Sequence, residues 1–114
     1  MIVEVSPTLN TVEVYTNPVA APILLPMEKK TSNFDALIQN SYVVDTSSSA
    51  VTATLPSLPK KGDTVDILCI GSNSVTISRN SHKINGGEVD ITLSNGQSAL
   101  LRYLDTDLGF VRLR

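Results

Sequence analysis

The stretch from Ser41 to Ile70 constrains the fold more than any other part of this sequence, because apolar residues alternate with polar ones along two runs. This period of two is what a β-strand with one buried face requires. Prolines end the first run, since proline cannot donate to a strand ladder, and a Lys-Lys-Gly-Asp turn precedes the second. The residues predicted to face inward are Val51, Ala53, Leu55, Val65, Ile67 and Cys69.

Two further apolar residues, Leu68 and Ile70, occupy the opposite face of the second predicted strand. A strand end that is apolar on both faces needs cover from a second layer or from another subunit. A sandwich this small has few ways to cover both faces of one strand. We therefore expect Leu68 and Ile70 to lie at an interface between copies of the chain.

The chain after Ile70 continues as short alternating runs separated by turn signals. Asn85-Gly86-Gly87 belongs to a class that is favoured where the backbone needs a positive φ. Asn95-Gly96 lies between two alternating runs and predicts a hairpin. In the last run, Val111 and Leu113 are predicted to face inward. Short strands at this spacing predict an all-β fold, an antiparallel β-sandwich or barrel.

The N-terminal residues differ in sequence pattern from the rest of the chain, because the apolar run from Val19 to Met27 is broken by two prolines. Neither a helix nor a central strand suits such a run. It either packs along its own domain or lies across a neighbouring subunit as an arm, with Val19, Ile23, Leu24, Leu25 and Met27 as candidate contact residues. We therefore divide the chain into an extended N-terminal arm with short strands, residues 1–30, and a β-sandwich module, residues 31–114.

The start of the predicted module permits two local structures. Ser32 followed by Asp35 resembles a capping box, and Phe34, Leu37 and Ile38 would share one face of a helix. One or two helical turns are compatible with this pattern, and so is a strand.

Composition limits the classes of partner and compartment. The chain has 114 residues and a net charge of −2, which argues against a nucleic acid partner because there is no basic stripe to neutralise phosphates. No segment approaches the roughly 20 apolar residues that span a bilayer, and no signal peptide is evident. We expect a soluble chain made in the cytoplasm, with no membrane partner. Cys69 is the single cysteine, so no intrachain disulfide forms and a small core residue is expected.

The residues that usually carry catalysis do not form a recognisable constellation. His82 is the single histidine and stands in a polar loop without an obvious nucleophile to activate. Asp105-Thr106-Asp107 offers two carboxylates but lacks the other oxygen ligands of a calcium loop. We therefore expect no catalytic, cofactor-binding or metal-binding residues, and no enzyme.

An ordered series of short motifs runs from Tyr42 to Tyr103. The motifs are Tyr42-x-Val44-Asp45-Thr46-Ser47, Ala50-Val51-Thr52, Thr54-Leu55-Pro56, Pro59-x-x-Gly62-Asp63-x-Val65-x-Ile67, Asn73-x-Val75-Thr76-Ile77, Arg79-Asn80, Ile84-Asn85-Gly86, Asp90-x-Thr92-Leu93 and Leu101-x-Tyr103. This series resembles a β-module of bacteriophage virion proteins, which occurs in tail fibres, fibre tips and small head-surface proteins. The resemblance implies a jelly-roll-like sandwich that assembles as a threefold homotrimer without enzymatic activity. The interface expected at Leu68 and Ile70 would then be the trimer interface.

Two departures from the family pattern refine this expectation. Gly109-Phe110-Val111 stands where the family often has an aromatic pair. The module is usually part of a much longer fibre chain, whereas only a proline-broken apolar segment precedes it here. The resemblance therefore implies a capsid decoration (cement) protein that stabilises the head by bridging capsomers.

This expectation fixes the partners and leaves two alternatives open. The partners would be the chain itself and the major capsid protein or other virion proteins. The location would be the capsid surface of the virion, after synthesis in the host cytoplasm. One alternative is a short tail-fibre, head-fibre or fibre-tip protein that binds a host-surface receptor through loops 45–49, 71–74 and 80–87. The other is an unrelated small β-sandwich within a cellular complex.

Overall fold

The computed structural model describes residues 25–114, and this part of the chain forms nine β-strands and no helix. The strands are β1 (Met27–Lys30), β2 (Phe34–Asp35), β3 (Asn40–Asp45), β4 (Val51–Thr54), β5 (Thr64–Ile70), β6 (Val75–Ser78), β7 (Ile91–Leu93), β8 (Ser98–Asp105) and β9 (Gly109–Arg112). The prediction of an all-β fold is confirmed.

The described strands make two sheets that pack face to face. The five-stranded sheet has the order β1-β3-β5-β8-β9, and the four-stranded sheet has the order β2-β4-β6-β7. From β1 to β6 the chain passes to the other sheet after every strand, so strands two apart in sequence become neighbours. The last three strands then reverse, with β7 beside β6, β8 beside β5 and β9 beside β8.

The prediction of an antiparallel, jelly-roll-like sandwich is wrong in its strand directions. The pairs β1/β3, β3/β5, β2/β4 and β4/β6 are parallel, and β5/β8, β6/β7 and β8/β9 are antiparallel. Jelly rolls are built from antiparallel neighbours. Short alternating runs do not distinguish the two arrangements. The direction depends on whether each turn returns to the same sheet or crosses to the other, and the first five connections cross.

The core lies between the two sheets and consists of the inward residues of both. Every residue predicted to face inward in the stretch 51–69 is buried, which confirms the alternation. Tyr42 and Phe110 are the largest of the fully buried side chains. The buried apolar residues are Ala36, Tyr42, Val44, Val51, Ala53, Leu55, Val65, Ile67, Cys69, Val75, Ile77, Ile84, Leu93, Ala99, Leu101 and Phe110.

The segment 32–38, whose sequence is compatible with either a helix or a strand, contains strand β2. Phe34 and Asp35 pair with Ala53 and Thr54 in parallel, and the Phe34 ring packs at 4.7 Å from the ring of Tyr42. This contact places Phe34 against the core from an edge strand, an arrangement that helical periodicity does not anticipate.

Two predictions about turns and faces near the C-terminus are wrong. The Asn95-Gly96 turn forms, with Gln97 N donating to Ser94 O at 2.9 Å, but β7 and β8 belong to different sheets and do not make a hairpin. In the last strand, Phe110 is buried and Leu113 is exposed, so Val111 and Leu113 do not face inward. The buried Phe110 sets the register, and a shift of one residue reverses every face of a strand.

The predicted boundary between arm and module at residue 30 stays a prediction, because residues 1–24 lie outside the described residues. Within the described part, Met27–Lys30 pair in parallel with Ser41–Val44 as the first strand of the five-stranded sheet. No helix in residues 25–114 has the length and apolar character needed to cross a membrane.

Candidate self-association surface

The outward face of the five-stranded sheet carries apolar side chains from four of its strands or their ends. They alternate along each strand with the buried core residues, so they point away from the four-stranded sheet. We call this set the apolar face. It consists of Val43, Leu68, Ile70, Leu100, Val111 and Leu113.

The strand register brings the members of the apolar face together. Val43 and Leu68 are directly paired across β3 and β5, and Leu100 pairs with Asp66, two residues from Leu68. Leu113 N donates to Leu100 O at 2.8 Å, which ties the chain end to the same region. The two predicted interface residues, Leu68 and Ile70, thus have apolar neighbours on the same face. Ile70 remains 43% exposed.

The outward face of the four-stranded sheet has the opposite character. In β4, β6 and β7 every residue that alternates with a core residue carries a hydroxyl group, and Thr52, Thr76 and Thr92 form one row across the three strands. We call this set the hydroxyl face. It consists of Thr52, Thr54, Thr76, Ser78 and Thr92. The four-stranded sheet therefore has an outer surface suited to water, whereas the outer surface of the five-stranded sheet carries large apolar side chains among polar ones such as Ser41, Asp66 and Arg102.

A shallow depression of about 540 Å³ on the five-stranded sheet brings two predicted contact residues next to part of the apolar face. Leu25 and Met27 were predicted to contact a partner, and they line this depression together with Leu100 and Leu113. Met27 is 73% exposed. The other predicted contact residues, Val19, Ile23 and Leu24, lie outside the described residues.

Charged groups lie within the apolar face and beside it: Asp66 stands opposite Leu100 and Arg102 opposite Val111, and those at the sheet edge are partly paired. The Lys29 ammonium lies 3.8 Å from a carboxylate oxygen of Asp45. The Ser47 hydroxyl and backbone N–H donate to Asp45 at 2.7 and 3.0 Å, and these bonds hold the pKa of the Asp45 carboxyl below its ordinary value. At the sheet edge, the Glu28 carboxylate accepts from Lys30 at 2.8 Å and raises the pKa of the Lys30 ammonium.

The loops predicted to recognise a receptor are divided between the two ends of the sandwich. Loops 45–49 and 71–74 lie at the end where β3 and β5 finish, whereas loop 80–87 follows β6 at the opposite end. A second depression, of about 500 Å³, is lined by polar residues of loops 71–74 and 94–97. These three predicted loops therefore do not make one continuous site.

The residues considered for catalysis or metal binding have structural roles. His82 Nε2 lies 3.1 Å from Ser57 O, and its ring packs edge-on against Tyr103 and Phe110. Asp105 Oδ1 accepts from the backbone N–H groups of Asp107 and Leu108. Cys69 is buried. Within residues 25–114, no three His, Cys, Asp or Glu side chains group in a way that could hold a metal ion.

Sequence reasoning missed four members of the apolar face, namely Val43, Leu100, Val111 and Leu113. For Leu100 a signal was present, because β8 is apolar on both faces over Ala99–Leu101, as β5 is at Leu68. For Leu113 the signal was misleading, since the predicted register of the last strand was shifted by one residue.

Comparison with protein-family models gives no match for this chain, and neither does comparison with curated proteins.

Proposed function

We propose that this chain is a non-enzymatic bacteriophage virion protein that assembles as a homotrimer and decorates the capsid, where it stabilises the head by bridging capsomers. The motif series from Tyr42 to Tyr103 is the sequence basis of this proposal. The observation that carries the self-association is the difference between the apolar face and the hydroxyl face of one small sandwich.

Self-association through the apolar face would remove poorly solvated side chains from water. Full burial of one exposed large apolar side chain contributes about 1.5–3 kcal/mol; in the apolar face Ile70 and Leu113 are exposed, and the other four residues are half-buried and would contribute less each. In a threefold ring each copy uses two different patches, one toward each neighbour. The hydroxyl face would then point away from the axis, toward water.

In this arrangement the N-terminal segment supplies contacts to the major capsid protein or another virion protein. The proposed contact residues are Val19, Ile23, Leu24, Leu25 and Met27. Met27 supports a role in contacts because its side chain is 73% exposed on the edge strand of the five-stranded sheet.

The test of self-association is the native mass of the purified chain, measured by sedimentation. We expect three times the chain mass of 12.2 kDa for the full chain and a trimer for a variant that lacks residues 1–24. Leu68→Asp should yield a monomer, because it places a charge on the apolar face. Thr76→Asp is the matched control, since Thr76 is also a half-buried outward residue of an interior strand. A monomeric wild-type chain would overturn the homotrimer.

The virion assignment has its own test. Particles of the phage that encodes this chain should contain it in many copies, and a gene deletion should yield heads that open at lower temperature or lower ionic strength. Particles that lack the chain, or heads of unchanged stability, would contradict the assignment.

A second candidate function is a fibre or fibre-tip protein that binds a host-surface receptor. The observation in its favour is the depression lined by Gly71, Ser72, Asn73, Ser74, Ser94 and Asn95. Hydroxyl and amide groups of such loops match the hydrogen-bonding groups of a glycan. Direct binding of the isolated chain to host cells, and its loss in Ser72→Tyr, would favour this function over decoration.

A further inference from the structure

The two ends of the sandwich differ in composition. One end comprises loops 31–33, 46–50, 71–74 and 94–97, and none of these described residues is charged or large and apolar. We call it the neutral end. The other end comprises loops 36–39, 55–63, 79–90 and 106–108 and contains both acidic and basic residues. We call it the charged end. Charges near the neutral end, such as those of Asp45 and Arg112, belong to strands.

Exposed large apolar side chains within the described loops are found at the charged end. Leu58 is 89% exposed, Val89 is 75% exposed and Leu37 is 62% exposed. Ile38 and Leu108 are exposed at the same end. Single exposed leucines are ordinary on protein surfaces; here the five exposed large apolar side chains of the described loops all share one end of the sandwich.

The loops that present these side chains are fixed to the core by hydrogen bonds. Leu37 N donates to the buried Tyr42 hydroxyl at 2.8 Å. Ser57 O, beside Leu58, lies 3.1 Å from His82 Nε2, and prolines stand within two residues of Leu58 on both sides. Apolar side chains on loops that are already ordered lose little conformational freedom on binding, so more of their burial energy appears as affinity.

The N-terminal segment is attached at this same end. Pro26 O accepts from Ser41 N at 2.8 Å, which fixes the chain just before β1 beside the start of β3. Leu25 and Pro26, the first described residues, therefore lie at the charged end.

We propose that the charged end docks on a folded protein surface of the virion and inserts Leu58, Val89 and Leu37 into apolar recesses there, while the neutral end faces solvent. This inference rests on the proposed function and adds the orientation and the contact residues. Charge favours a protein over a membrane or a nucleic acid, because the basic residues of these loops are matched by acidic ones. Lys60, Lys61, Arg79 and Lys83 are balanced by Asp63, Glu88, Asp90 and Asp107, which leaves no basic field for phosphate groups.

The experiment uses phage particles that lack this chain through gene deletion, to which the full purified chain is added back. The bound amount is measured against the concentration of free chain. Leu58→Ser and Val89→Ser should each raise the concentration for half-saturation about tenfold, because each removes a large buried apolar group from the contact. Ser48→Tyr and Ser72→Tyr at the neutral end are the matched controls and should bind as the wild type does. All four residues are exposed in loops, and unchanged native mass confirms that the variants fold.

The outcomes separate the proposed orientation of the chain from the proposed decoration function. Tenfold weaker binding of the charged-end variants with unchanged controls supports the orientation. Binding that is unaffected by Leu58→Ser and Val89→Ser, or lost in the neutral-end variants, overturns the orientation and leaves the virion function standing. Failure of the wild-type chain to rebind overturns the decoration function itself.

Discussion

The hydroxyl of Thr46 donates to the carbonyl oxygen of Asn73 at 2.6 Å, and the side-chain amide of Asn73 donates back to the carbonyl oxygen of Thr46 at 2.7 Å. Thr46 is fully buried at the end of β3, and Asn73 lies in the turn after β5. These are two of the points at which the chain leaves the five-stranded sheet for the other. The reciprocal pair thus joins the loop after β3 to the loop after β5 and helps to fix the parallel pairing of these strands.

Removal of the Thr46 hydroxyl should destabilise the fold without changing its shape. Thr46→Val removes the 2.6 Å donor of the Asn73 carbonyl oxygen and leaves only the weak Cys69 thiol donor at 3.5 Å, at an expected cost of about 1–3 kcal/mol in the free energy of unfolding. Urea denaturation monitored by circular dichroism measures this change. Thr46→Ser keeps the hydroxyl and should lose less. Equal losses in the two variants would show that the methyl group, rather than the hydrogen bond, matters at this site.

The sequence predicts the inward residues of the stretch 51–69 and several turns of the sandwich. Val51, Ala53, Val65 and Ile67 are all buried, because alternation depends on burial of one face and holds for parallel and antiparallel pairing alike. Asn85 and Gly86 have φ values of 52° and 78°, as their residue types favour. These features depend on local chemistry that a single segment contains.

The direction of strand pairing depends on contacts between distant segments, which local patterns do not contain. At Asn95-Gly96, hydrogen bonds from Gly96 N to Cys69 O and from Cys69 N to Gln97 O attach the turn to β5. The chain therefore crosses between the sheets there instead of making a hairpin. Of the apolar face, Leu68 and Ile70 were predictable from a strand that is apolar on both sides. The grouping with Val43, Leu100, Val111 and Leu113 required the strand order.

Gly109 should tolerate no side chain. Its φ is +70°, and an added Cβ would overlap the Lys83 carbonyl oxygen, which itself accepts from Phe110 N at 2.8 Å. Gly109→Ala should lower the free energy of unfolding by about 3 kcal/mol or more, since a left-handed backbone and a steric clash act together. Urea denaturation again provides the measurement.

Gly96 provides the control for that substitution. Its φ is +81°, but no atom lies within 4 Å of the position that a Cβ would occupy. Gly96→Ala should therefore lose only the backbone contribution, about 1–2 kcal/mol. A loss at Gly109 no larger than that at Gly96 would mean that β9 and the loop around Lys83 can move apart at little cost.

Stability should fall in acid partly through Asp45. The Ser47 hydroxyl, followed by the Ser47 N–H and Lys29, lowers the pKa of Asp45 in the folded chain. A carboxyl with a lowered pKa contributes stability above its unfolded value, and this contribution is lost as the pH falls through the folded-state pKa. The difference in urea midpoint between the wild type and Asp45→Asn should therefore shrink as the pH falls below the ordinary value of 3.8.

Ser47→Ala is the companion variant for this pH series. It removes the hydroxyl, the largest cause of the lowered pKa, and retains the backbone N–H. Its acid-dependent loss of stability should be smaller than that of the wild type. Identical pH profiles for wild type, Asp45→Asn and Ser47→Ala would show that other carboxyls account for the acid sensitivity.

If the apolar face joins copies of the chain, thermal stability should depend on protein concentration. When three chains separate as they unfold, each tenfold increase in concentration adds about 0.9 kcal/mol per chain, which raises the midpoint temperature by about 4 °C for a domain of this size. Leu113→Asp should remove most of this dependence, because Leu113 is an exposed member of the apolar face at the chain end. Thr92→Asp, on the hydroxyl face, should preserve it. A wild-type midpoint that does not change with concentration, measured by differential scanning fluorimetry, would contradict self-association through this face.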